Sequence, residues 1–188
     1  MPEVLAAPCM ISVVEKSLEP EDMTDLRELA ISSAKKLMAR DGHVEPVILF
    51  LGKDPKSSLT EKYIYGIMQL GQFMQNDDTK DVLAEVLPQI LGGNEAFVVC
   101  FISEVWIAVG EKTDEEYERR GSVKDMPGSE EAVIIHYETV LEKEVHLFRI
   151  NREGDVPELI ERKDVPEMLS ATGRFASFLG KVPEEVLQ

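Results

Sequence analysis

The chain is poor in the residues and patterns on which the commonest chemistries depend. Its two cysteines, Cys9 and Cys100, lie far apart and outside any C-x-x-C spacing, so no thiolate metal site or disulfide framework is expected. Of three histidines, His43, His136 and His146, none is spaced as in the H-E-x-x-H of zinc hydrolases, and no metal is expected. There is no G-x-x-x-x-G-K-[ST] loop to cradle phosphate and no G-x-G-x-x-G after a strand, so no cofactor is expected. Without a G-x-S-x-G elbow, an ordinary serine hydrolase is excluded as well.

Basic residues are scarce too: 20 against 36 acids, a formal charge of -16. That field repels phosphate backbones and anionic lipid, which excludes nucleic acid and membrane surfaces as natural partners. No apolar run approaches the roughly 18 residues of a membrane helix. The start, MPEVLAAPCMISVVEKS, carries Glu3 and Pro8 where a secretory leader needs a basic opening. A cytoplasmic setting is expected, with both thiols free and residues 1–18 a frayed segment.

What is present is the composition of a globular domain: 188 residues, 44% hydrophobic and 30% charged. Apolar residues recur at threes and fours over residues 20–40, with Gly42 beyond them, and predict a helix. HVEPVILFLG predicts a strand ending at Gly52. YIYGIMQLGQFM fits helix and strand alike, and its interior glycines and paired tyrosines weigh towards strand. Residues 78–91 predict a second helix, capped by Asp77 or Asp78 and buried along Val82, Leu83, Val86, Leu87, Ile90 and Leu91. NDDTKD lacks the glycine and distal glutamate of a calcium loop and reads as capping.

Residues 97–109 predict a long central strand, and residues 131–140 and 144–151 two more around a tight turn at Glu142-Lys143. Between them, residues 111–130 show no hydrophobic period and predict a long mobile loop. The proline-bearing tail leaves room for a short C-terminal helix. The whole predicts a single α+β domain, with about five mainly antiparallel strands and two main helices.

One stretch carries a puzzle. FVVCFISEVWIAVG is the most apolar run in the chain, yet it holds Glu104 beside the only tryptophan, Trp106. A carboxylate there is solvated, paired or functional. If the flanking strands meet near Val109 and Glu131, Glu104 falls opposite His136. The turn at Glu142-Lys143 then sets His136 opposite Arg149. The result is a row, Glu104-His136-Arg149, with Trp106 and Glu138 on the same face. A carboxylate beside a histidine is how general-base pairs are made, which makes Glu104, His136 and Arg149 candidate catalytic residues and Trp106 and Glu138 candidate ligand contacts. The same row is also what a solvated sheet face looks like, and Trp106, Cys100 and His43 read equally as packing residues. A one-residue slip dissolves the row.

The strand FISEVWIAV, an acidic loop and the following MPGSEEAVIIHYET together resemble a pattern in short prokaryotic and phage proteins of unknown function. Ser103, Glu104 and Trp106 are the matching positions, within residues 44–150. The pattern often has an arginine before the glutamate that opens the second strand, where this chain has Ser129 and Glu130. The resemblance implies fold and context and no activity. The expected function is therefore that of an acidic binding protein without catalytic chemistry, contacting another protein or itself through a sheet edge or the loop before Glu131. The alternative is a small enzyme or ligand-binding domain centred on the Glu/His/Arg row.

Overall fold

The computed structural model describes residues 25–53, 63–93, 95–108, 119–163 and 178–179. The first helix, α1 (Asp25–Asp41), buries Leu26, Ala30, Ala34 and Met38, a strict four-residue stripe. It ends where Gly42, at φ 76°, donates its N–H to the Met38 carbonyl. Leu29, apolar and one of the residues recurring at threes and fours, lies exposed beside the stripe.

Strands β1 (Val47–Lys53) and β2 (Tyr63–Gln69) follow, so the ambiguous tyrosine-rich segment is strand up to Gln69, and its end, Gly71–Phe73, is a 3-10 turn. The reason is visible at Gly66: any Cβ there would stand 2.1 Å from the Phe50 ring, so the glycine admits a neighbour's aromatic ring rather than weakening a helix. Helix α2 (Asp77–Gly93) buries Leu83, Leu87 and Leu91. Its cap is Asn76, whose Oδ1 accepts the Thr79 N–H at 2.9 Å, where the sequence pointed to Asp77 or Asp78.

Strands β3 (Val98–Ile107), β4 (Glu130–Thr139), β5 (Lys143–Asn151) and β6 (Glu158–Glu161) complete an antiparallel sheet in the order β2-β1-β3-β4-β5-β6. The fold is α+β, with six strands where about five were expected. The sixth is β6, whose four residues, ELIE, sit just after Pro157 and carry too little pattern to be read from sequence. The helices cover opposite faces. On the α1 face lie Leu49, Leu51, Val98, Cys100, Ile102, Val133, Ile135, Tyr137, Phe148 and Ile150; on the α2 face lie Ile48, Phe50, Met68, Val99 and Phe101. Burial on both sides is why residues 98–102 read as an unbroken apolar run.

The β4–β5 turn is centred on Val140 and Leu141, two residues before the expected Glu142-Lys143. Thr139 fixes it: its N–H donates to the Glu142 carbonyl at 2.8 Å, and its Oγ1 accepts the N–H groups of Leu141 and Glu142. Of the predicted loop 111–130, residues 111–118 lie outside the described residues. Its end is held down by buried Met126, by Arg120 donating to the Asp125 carbonyl, and by Ser129 donating to the Lys124 carbonyl. The expected frayed start and short C-terminal helix also fall outside the described residues, save for Phe178 and Leu179.

Candidate functional site

The predicted row does not form. Glu104 pairs with Val133, and His136 with Phe101 on one side and Val145 on the other. The β3–β4 register departs from the expected one by three residues, an odd number, so Glu104 and His136 lie on opposite faces of the sheet. Arg149 pairs with Ala132: it shares the His136 face but sits further along β5 and is exposed. Trp106 keeps to the Glu104 face, half-exposed, with the Lys124 ammonium 5.4 Å from its ring centroid. Glu138 keeps to the His136 face, away from Trp106.

The two acids instead have structural partners. Glu104 Oε1 accepts the Val44 N–H at 2.7 Å, fastening the connection between α1 and β1 to a strand 60 residues on. That answers the puzzle of a carboxylate in the apolar run: it serves a backbone donor that no strand neighbour reaches, and a charged acceptor makes the stronger bond.

On the other face Glu138, 1% exposed, accepts the N–H groups of Phe178 at 2.7 Å and Leu179 at 3.2 Å. Lys143 Nζ stands 3.1 Å from it and His136 Nε2 4.0 Å. The Phe178 ring lies over the group, 5.3 Å from the His136 ring and 5.5 Å from that of Phe101. A buried carboxylate with two N–H donors and an ammonium is compensated, and the aromatic roof shuts it from solvent. This is a clasp for Phe178 and Leu179.

A different Glu/His/Arg group does assemble, at the open end of the α1 face. Arg27 of α1 donates to Glu144 Oε2 at 2.7 Å, and His146 Nε2 stands 3.1 Å from the same oxygen. Glu161 of β6 lies 3.9 Å from His146 Nδ1. Partial burial acts to raise the Glu144 carboxyl, but Arg27 and His146 outweigh it and leave its pKa lowered. The hydrogen bond to Glu144, then its charge, raises the Arg27 guanidinium. Beneath them, burial raises the Tyr137 hydroxyl and pushes the Cys100 thiol up to about 12. Glu144 and His146 stand two apart on one strand, a spacing that puts them on one face, so this pair was open to sequence reading. Among the described residues no group of three His, Cys, Asp or Glu is arranged to hold a metal ion, and no helix is long and apolar enough to cross a membrane.

The sheet edges differ in kind. Strand β6 is four residues long and bears Glu158 and Glu161 at its ends. Strand β2 spans seven residues, YIYGIMQ, without a charge or a proline, and among the described residues its one strand neighbour is β1. On α2, Val82 and Val86 are 57% and 40% exposed, although the sequence placed both in the buried stripe. No protein-family model, no curated protein and no solved structure matches the chain.

Proposed function

We propose that this is an acidic cytoplasmic protein that works by binding another protein chain through the β2 edge, without catalytic chemistry of its own. The observation that carries this reading is the edge itself: seven residues of strand, open among the described residues, with none of the charges, prolines or bulges by which proteins ordinarily protect such edges. A partner strand laid along β2 would satisfy its outward backbone groups, the mode called β-augmentation. The charge of -16 favours solubility and disfavours nucleic acid or an anionic membrane as the partner. The polar residues singled out in the sequence support the same reading, since Glu104 and Glu138 are occupied in fastening the chain.

The test is site-specific photo-crosslinking in the cell, from Gln69 at the end of β2, from exposed Val82 of α2, and from Ile160 on β6 as the control. Protein adducts from the first two positions and none from the third are expected. Adducts from Ile160 alone, or from no position, contradict the reading.

A second reading, a ligand-binding or enzymatic site, draws on Arg27, Glu144, His146 and Glu161. It is favoured by one observation: His146 is hydrogen-bonded to a carboxylate while its side chain stays 22% exposed. A small molecule that shifts the His146 ring signals in NMR at saturable concentration supports it; their indifference to a metabolite panel leaves binding through the edge as the sole reading.

A further inference from the structure

We propose that the partner at the β2 edge is a second copy of this chain, joined β2 to β2 in antiparallel register about a two-fold axis between the two Gly66 residues. This inference rests on the edge-binding reading above and specifies its occupant.

The first support is the strand's self-complementarity. Centred on Gly66, Tyr63 meets Gln69, Ile64 meets Met68 and Tyr65 meets Ile67 of the other copy, so all seven residues pair and no charge meets a like charge. Partners in this register differ by an even number of positions. The backbone register is therefore its own image, as a two-fold axis perpendicular to the sheet requires. Gly66 places no side chain at the axis, and the Phe50 ring of each copy fills the space beside it.

The second support is charge. Two bodies of -16 repel, and a self-interface must lie where the charge is absent. Strand β2 has no charged residue, whereas β6 has two glutamates in four positions.

The third is the flank formed by α2. Strands β2 and β3 both run antiparallel to β1, so they are parallel to each other and α2 is the crossover between them. Such crossovers are right-handed in nearly all sheets. With that hand, and with Leu83 and Leu87 facing the sheet, the residue preceding each of them turns towards the β2 side. Those residues are Val82 and Val86, both exposed. The two-fold axis then brings the valines of the two α2 helices face to face above the joined strands. A paired strand is a small interface, and the valines extend it towards the roughly 1,200 Å² that stable complexes bury.

The test is the mass of the purified full chain by sedimentation equilibrium. The expected mass is twice 21.1 kDa. The double variant Val82→Glu/Val86→Glu, which changes only exposed helix positions, is expected to halve it with the circular dichroism spectrum unchanged. Ile160→Glu on β6 is expected to leave the dimer intact. A wild-type mass of 21.1 kDa overturns the inference, as does a dimer that survives the double variant and falls apart with Ile160→Glu. A monomer whose Gln69 and Val82 positions still crosslink to a different protein in the cell overturns the second copy and keeps the edge-binding reading. A monomer that crosslinks to nothing overturns both.

Discussion

Glu104 and Glu138 are two carboxylates set in apolar strands on opposite faces of one sheet, and both accept backbone N–H groups from segments far away in sequence. They differ in depth. Glu138 is buried under Phe178 with two N–H donors and Lys143; Glu104 is half-buried and accepts the Val44 N–H nearer to solvent. In this fold an acid in a hydrophobic strand is a fastener, and its depth sets its weight. Burial raises the cost of losing the acceptor, because water cannot replace it.

The largest expected effect follows at Glu138. Glu138→Ala strips the acceptor from the buried Phe178 N–H and the part-buried Leu179 N–H and leaves a void beneath the Phe178 ring, at a cost of about 2–4 kcal/mol in urea unfolding. Glu104→Ala, whose donor sits nearer solvent, is expected to cost about 1 kcal/mol. Equal losses at the two sites would break the link between depth and weight. A smaller effect is expected from Arg27→Gln, which acts on a third acid, Glu144. The folded-state pKa of Glu144 is lowered, so its stabilisation is present above the ordinary glutamate value of about 4.3 and is lost as pH falls through the folded value. Removing Arg27 should therefore lower stability near neutral pH by about 0.5 kcal/mol, after discounting for solvent screening, and flatten its decline in acid. An unchanged acid limb contradicts the pairing. The last is expected to leave stability untouched: Cys100, on the Glu104 face with its thiol at about 12, should resist alkylation in the native protein and react only on unfolding. Rapid native labelling at Cys100 would show that the α1 face opens easily.

The fold was largely legible in the chain because its elements are written in hydrophobic period. The residues that decided register were not. Thr139 makes the β4–β5 turn through its own hydroxyl, while the residues at the tip, Val140 and Leu141, look like strand. A turn read two residues late moves each cross-strand partner by four, which carried Arg149 opposite His136 on paper and opposite Ala132 in the protein. Between β3 and β4 the connection is long, so no turn chemistry pins the pairing, and the three-residue error there placed Glu104 on the wrong side of His136. Gly66 was visible as a residue, but its meaning comes from a neighbour, the Phe50 ring, and Val82 and Val86, read as part of the buried stripe, stand exposed. The Glu144–His146 spacing was readable and lacked only Arg27, which arrives from a helix 117 residues away.

Whether the polar residues of the sheet are separate fasteners or one site can be measured by a double-mutant cycle. Unfolding free energies of the wild type, Glu104→Ala, Glu138→Ala and the double variant give the coupling between the two acids. Residues on opposite faces with no shared partner should be additive, so a coupling within about 0.5 kcal/mol of zero is expected. A coupling of about 1 kcal/mol or more would contradict it, and would put Glu104 back into one cluster with the His136 face.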